Sequence, residues 1–324
     1  MENRRDFLRN MTLLTAGGLL AGNTKQSEAA NYTAIRETAA TKELGLQIYS
    51  LQRELYDDIP KRMRELKDMG YVNLELSGYD KGKIGNVDMM EFKQMAGDAG
   101  LKIVSSHVNP TIEGLSGMES FFPRYTKEML PQVKEFWKAT AADHVKLGCK
   151  YLIQPMMPNI ETHADANIVC EFLNEAGKIC NEAGLMFGYH NHNFEFKRVI
   201  KPEDTNRRVM PWEVKGDQIM DLFLADTDPS LVNFELDVYW TVRGGNDPLE
   251  YMIKYPKRFM ALHIKDTAVL GQSGLLNFEN IFKQMYANGI RDFFVELEGM
   301  PDKRTQFEGV KDCADYLQKA PFVR

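Results

Sequence analysis

Asp237 and His263 close two short apolar runs, Phe234-Glu235-Leu236-Asp237 and Ala261-Leu262-His263-Ile264-Lys265-Asp266, about one strand-plus-helix repeat apart. Each run has the make-up of a buried strand whose last residues are polar and able to bear charge. Consecutive parallel strands lie side by side and point the same way, so such ends gather at one rim of a parallel sheet or barrel. A carboxylate and an imidazole meeting there suit a divalent metal or an acid–base pair. The same kind of ending recurs along the chain, at Gln47 and Tyr49, Glu75, His107, Gln154, His190 and His192, and Glu296 with Glu298. Residues two apart on a strand share a face, so Glu235/Asp237, His263/Lys265 and Glu296/Glu298 each offer a pair to one side. Four of the six histidines lie at these ends; His144 and His163 do not.

Taken singly, each residue has an ordinary structural reading: Glu75 as a rim ion pair, His107 as a capped core histidine. As a set they ask for more. Unpaired buried charge is expensive, so several carboxylates, histidines and a lysine at one rim need a compensating cation or ligand. Carboxylates with imidazoles suit Mn, Mg, Co, Fe or Zn, and residue types do not choose among these.

Such a rim requires a regular scaffold, and the hydrophobic pattern supplies one. Strands are predicted over 44–49, 72–76, 101–107, 151–155, 185–192, 232–238, 259–265 and 292–298. Helices are predicted over 58–69, 88–99, 126–147, 164–183, 212–224, 248–255, 278–288 and 305–317. Gly70, Gly100, Gly184 and Gly289 stand at helix-to-strand junctions, where glycine supplies a left-handed cap. Eight alternating units predict an α/β fold, and their number fits a closed (β/α)8 barrel, the TIM-barrel architecture, in one domain over 44–324. No G-x-G-x-x-G follows the first strand, which argues against a dinucleotide site. The long 108–125 connection, with Pro110, Gly114, Gly117 and Pro123, is expected to cover the rim as a lid.

Composition sets the outer bounds. The 324 residues are 44% hydrophobic and 27% charged, enough for one large core. A net charge of −6 disfavours a nucleic-acid partner or an anionic membrane. Cys149, Cys170, Cys180 and Cys313 show no C-x-x-C spacing and read as buried apolar residues. At the start, Arg4-Arg5 with Phe7-Leu8 precedes an uncharged segment over 10–24, and Ser27-Glu28-Ala29 offers a cleavage site. Residues 1–29 are therefore expected to be a twin-arginine export signal and 30–43 a linker, giving a periplasmic protein by a route that carries folded proteins and so allows metal loading before transport. The uncharged segment is short for a membrane span and no cysteine follows it, so no membrane anchor is expected. A homo-oligomer is compatible with all of this.

The polar strand ends carry a resemblance. Leu46-Gln47-Ile48-Tyr49-Ser50, Tyr189-His190-Asn191-His192-Asn193-Phe194-Glu195-Phe196, Leu236-Asp237-Val238-Tyr239-Trp240, His263-Ile264-Lys265-Asp266 and Val295-Glu296-Leu297-Glu298 resemble the xylose-isomerase-like superfamily of sugar phosphate isomerases and epimerases, in its exported bacterial branch. The resemblance runs from about Leu44 to the end. It implies one divalent metal held after strands five to eight, with Asp237, His263 and Glu296 in the last three positions. Strand five departs from the pattern: where many relatives end in Glu, this chain has His190-Asn191-His192 and reaches Glu195 afterwards. Glu195 is the expected fourth ligand, with His192 its competitor.

The activity implied is a metal-dependent sugar isomerase or epimerase. Chelation of a carbonyl and its neighbouring hydroxyl acidifies the C–H between them and stabilises an enediolate. Glu298, His107 and His192 are candidate bases, and Lys265 is expected to polarise a substrate oxygen. Gln47, Tyr49, Glu75, Gln154, His190 and Trp240 are expected to bind the sugar. Elimination from the same intermediate would make the protein a lyase or hydratase on 3-keto-glycosides. A reading from another class is a non-catalytic carbohydrate-binding barrel with Tyr49, Tyr239 and Trp240 as platforms. A nuclease of related fold would need more rim histidines and a basic face. Export favours a free or glycosidically linked sugar over a phosphorylated one; Gly271-Gln272-Ser273-Gly274 is the one candidate phosphate loop noted.

Overall fold

The computed structural model describes residues 42–199, 216–301 and 303–324. The chain divides into two units, Met1–Ala40 and Thr41–Arg324, and the second is the barrel. The expected signal (1–29), residues 30–41 of the expected linker, residues 200–211 and the first residues of the expected 212–224 helix lie outside the described residues.

Eight strands form one sheet: β1 (Leu44–Gln47), β2 (Tyr71–Leu76), β3 (Lys102–Ser106), β4 (Tyr151–Gln154), β5 (Met186–His190), β6 (Val232–Asp237), β7 (Phe259–Ile264) and β8 (Asp292–Val295). Their spatial order is β3-β2-β1-β8-β7-β6-β5-β4, with every pairing parallel. The circle closes between β3 and β4. There a parallel bridge joins His107 to Ile153, the Val108 N–H donates to the Ile153 carbonyl at 2.8 Å, and Lys150 N–H donates to the Val104 carbonyl at 2.7 Å. This is a single-domain (β/α)8 barrel.

Local chemistry sets where the helices begin and end. Asp58 caps Ile59–Asp68, and Thr162 and Thr305 form capping boxes with Asp165 and Glu308 at the starts of His163–Glu182 and Gln306–Lys319. Gly70 (φ +99) and Gly289 (φ +83) take the left-handed conformation that turns each helix end into the next strand. Between helices and sheet the contacts are aromatic and fully buried, such as Trp137 against Phe187 at 5.2 Å and Tyr189 against Phe223 at 5.1 Å.

Several strands stop earlier than their apolar runs suggest, and each stop has a side-chain cause. β1 ends at Gln47 because Gln47 Oε1 accepts from the Tyr49 N–H (3.1 Å), starting the 3-10 segment Ile48–Asp57. β6 ends at Asp237 because Asp237 Oδ1 accepts from the Trp240 N–H (2.7 Å), capping a short helix, Val238–Arg243, that periodicity did not reveal. β8 ends at Val295, and the Leu297 N–H goes to Ser50 Oγ at 3.0 Å, so Glu296 and Glu298 lie beyond the strand. The expected 212–224 helix begins only at Ile219, because Asp217 and Gln218 pair antiparallel with Val199 and Arg198.

Candidate active site

At the C-terminal rim a network of hydrogen bonds is centred on two carboxylates. Glu75 Oε2 accepts from Gln47 Nε2 at 2.9 Å and lies 2.5 Å from His263 Nε2 and 3.1 Å from His107 Nε2. Glu235 Oε2 lies 2.8 Å from His107 Nε2, 3.1 Å from His190 Nδ1 and 3.1 Å from His263 Nε2. All but His107 are buried, and His107 exposes only 9% of its side chain. Burial pushes Glu75 up, but the imidazoles of His107 and His263 outweigh it and hold the carboxyl well below its usual range. For Glu235 burial wins, helped by the Glu75 charge, and the group is raised. Two carboxylates this close share their cations unequally.

His263 joins this network to a second group. Its Nδ1 faces Glu296 Oε2 at 3.4 Å and Asp237 Oδ2 at 3.9 Å. Glu296 Oε2 in turn accepts from Lys265 Nζ at 2.9 Å, and Lys265 also donates to Glu298 Oε1. Ligand atoms of His190, Asp237, His263 and Glu296 lie within 4.8 Å of one another, as do those of His107, His190, Glu235 and His263. In the second of these sets the atoms hydrogen-bond one another. In the first, Asp237 Oδ2 and His263 Nδ1 are buried without any hydrogen-bond partner. Burial pushes Asp237 up to about 7 against the pull of Lys265 and His263. A buried, unpartnered carboxylate oxygen beside an unpartnered imidazole nitrogen is what a cation site leaves when read without its ion. Two carboxylates and two imidazoles fit a divalent transition metal.

The fifth-strand residues differ in their surroundings. Glu195 is buried in the turn Phe194–Phe196, and both its oxygens are taken, Oε1 by the Tyr189 hydroxyl (2.5 Å) and Oε2 by the His192 N–H (2.8 Å). It is not brought into the cluster; His190 is. His192, the expected competitor, has an unpartnered Nδ1, and burial lowers its pKa to about 4.

The other expected residues are distributed less evenly. Glu298 exposes 40% of its side chain and meets the site only through Lys265. Tyr49 is 52% exposed, on a cavity it shares with Gln52 and Tyr56. Gln154, the last residue of β4, donates to the Met156 carbonyl at 3.2 Å in the loop that follows. Trp240 lies beneath Lys265, whose Nζ is 4.8 Å from the ring centre, and its indole N–H has no partner. Two residues given no role from sequence prove central. Glu235 holds three imidazoles, and Asn191 braces β6 by accepting from the Asp237 N–H at 3.1 Å. The signal for Glu235 was its two-residue spacing from Asp237.

At the candidate phosphate loop the first N–H, that of Gly271, is taken from within the chain. Asp266 accepts from the Thr267 N–H (2.7 Å) and the Gly271 N–H (3.0 Å), so these donors face a carboxylate of the protein itself.

A rim of this composition on an eight-stranded parallel barrel has many parents, and the whole chain decides between them. A family model described as a xylose isomerase-like TIM barrel matches residues 63–320. The chain belongs to that family. Among solved xylose isomerase-like barrels it is similar to a sugar phosphate isomerase/epimerase from Parabacteroides distasonis ATCC 8503, at 62% identity and a TM-score of 0.82, covering 87% of this chain and 100% of the other. A second protein of that description and organism is 46% identical, with a TM-score of 0.81 over 90% and 98% of the two chains. Over 237 residues the chain is 24% identical to an inosose dehydratase of Geobacillus kaustophilus (strain HTA426), and the match spans 65% of each. The family is one of enzymes, isomerases and epimerases with some lyases. No helix among the described residues is long and apolar enough to cross a membrane.

Proposed function

We propose that the chain is a divalent-metal-dependent sugar isomerase or epimerase that abstracts a proton next to a carbonyl. One observation carries the reading: Asp237 Oδ2 and His263 Nδ1 are buried and unpartnered side by side next to Glu296. Asp237, His263, Glu296 and, from the fifth strand, His190 would hold the ion. A bound divalent cation would withdraw electron density from two adjacent sugar oxygens and favour the enediolate left by proton loss.

The chain's own groups do the rest. Lys265, fixed by Glu296 and Glu298 and packed on Trp240, donates to a substrate oxygen. His192 stays a neutral imidazole and offers Nδ1 as proton acceptor. Glu298, at the open side, is the second proton carrier. His107, clasped between Glu75 and Glu235, holds position rather than moving a proton. The unpartnered Glu75 Oε1 and Glu235 Oε1 are acceptors for sugar hydroxyls. Return of the proton to the neighbouring carbon isomerises the sugar; return to the opposite face epimerises it. The Gly271 N–H, already held by Asp266, favours a free sugar over a phosphorylated one.

The test is a panel of free and 3-keto sugars incubated with Mn-loaded protein in deuterated water. Conversion with deuterium at the carbon beside the carbonyl is the expected result. Bound metal with neither conversion nor exchange across the panel would leave the carbohydrate-binding reading in its place. Similarity to inosose dehydratases favours a second reading, elimination from 3-keto-glycosides, which would appear in the same assay as an unsaturated ketone.

The location of the enzyme is part of the proposal: export by the twin-arginine route, with a mature start near Ala30. Exchanging Arg4 and Arg5 together for lysine should hold the protein in the cytoplasm, and an undiminished periplasmic yield would count against the route.

A further inference from the structure

A series of rings leads away from the candidate reacting centre. Trp240, beneath Lys265, stands 5.8 Å from His192; His192 stands 6.2 Å from Phe194; Phe194 meets Phe122 edge-on at 6.4 Å. The last two rings line a cavity of about 560 Å³ whose walls include Met157, Phe196, Lys197 and Arg243. None of the four cluster residues lines it, so it adjoins the centre without being part of it. Its volume lies in the range that accommodates a compact organic ligand, more than a monosaccharide held at the rim would use.

The lining narrows what would sit there. Phe194 is 46% exposed, and on the short helix Met118–Phe121, which ends at Phe122, Phe121 and Met118 are 64% and 71% exposed. Apolar surface gathered at one edge of a groove marks a binding face. Flat rings favour stacked or edge-on partners at such spacings. Lys197 and Arg243, both on the wall of the groove, form no ion pair with any of the described residues.

We infer that this groove is a subsite for the substituent of a glycoside, and that it fits a planar aromatic group bearing a carboxylate. The inference rests on the reading of the rim as a sugar-processing site. With the sugar at the rim, its glycosidic oxygen points the substituent along the ring series. The aromatic face lies against Phe194 and Phe122, and the carboxylate meets Arg243 and Lys197.

Calorimetric binding of 4-carboxyphenyl, phenyl and methyl β-D-glucoside to the metal-loaded protein tests this. The carboxyphenyl glucoside should bind about tenfold tighter than the methyl glucoside, with the phenyl compound between them. Phe194→Ala should remove most of the aromatic gain, and Arg243→Ala the difference between the two aryl compounds. Equal affinity for the three, no binding by any, or an aryl preference unaltered in both variants would overturn the inference. Its failure is separable from that of the reaction: turnover of free sugars without an aryl preference removes only the subsite, and an aryl preference without turnover removes only the reaction.

Discussion

Asp237→Asn is expected to keep the fold, lose the metal and abolish turnover. The exchange preserves shape, and the amide oxygen can still accept from the Trp240 N–H that Asp237 Oδ1 now takes at 2.7 Å. What disappears is the negative charge at Oδ2, the atom without a partner. Perturbing groups that only support a metal ligand already costs about 10–100-fold in affinity, so loss of a ligand charge should cost at least about 100-fold. Elemental analysis of the purified variant, with circular dichroism to show the barrel intact, reads this directly. His263→Ala should lose metal too, but less cleanly, because it also strips Glu75 of its 2.5 Å partner. The fifth-strand position is read in the same series: Glu195→Gln should retain metal and His190→Ala should lose it. Metal loss in the Glu195 variant alone would return Glu195 to the ligand set. Full metal and full activity in Asp237→Asn would remove the main support for the proposed function.

Lys265→Met is the second large effect, and it separates stability from chemistry. The ammonium is 1% exposed and pairs with Glu296, itself buried. Removing one partner of a buried pair leaves the other charge uncompensated, a cost of about 3–5 kcal/mol. Metal-free protein should therefore unfold at distinctly lower denaturant. Saturating Mn should recover most of that loss, since a cation beside Glu296 replaces the missing charge. Turnover should not recover: an electrophilic donor aimed at the reacting oxygen is worth about 10²–10³ in kcat. Glu298→Gln, at a half-exposed partner, should leave metal-free stability nearly unchanged. A Lys265→Met enzyme that regains full kcat with Mn would show that Lys265 only balances charge.

Much of this molecule could be read along the chain because it is decided over a few residues. Caps such as Asp58, Thr162 and Thr305, the junction glycines and the alternation of short apolar runs with helical periods act within one turn or one strand. Parallel pairing then makes the rim a list of strand ends, and Asp237, His263 and Glu296 come together as that list implies. What could not be read is how those ends pair. Glu75 on β2 and His263 on β7 meet across the barrel although 188 positions apart, and only closure of the sheet brings them together. The same holds at strand five. Sequence leaves Glu195 and His192 as the two candidate ligands, but the Tyr189 hydroxyl and the His192 N–H take both oxygens of Glu195, while His190, expected to bind sugar, has its Nδ1 held by Glu235 from the neighbouring strand. Residue types and spacing determined which groups reach the rim. Tertiary structure decided which atoms spend their hydrogen bonds on one another and which stay buried and unpartnered, among them Asp237 Oδ2 and His263 Nδ1 side by side next to Glu296. That difference is set by distances of a few tenths of an ångström between strands, and no pattern within one strand encodes it.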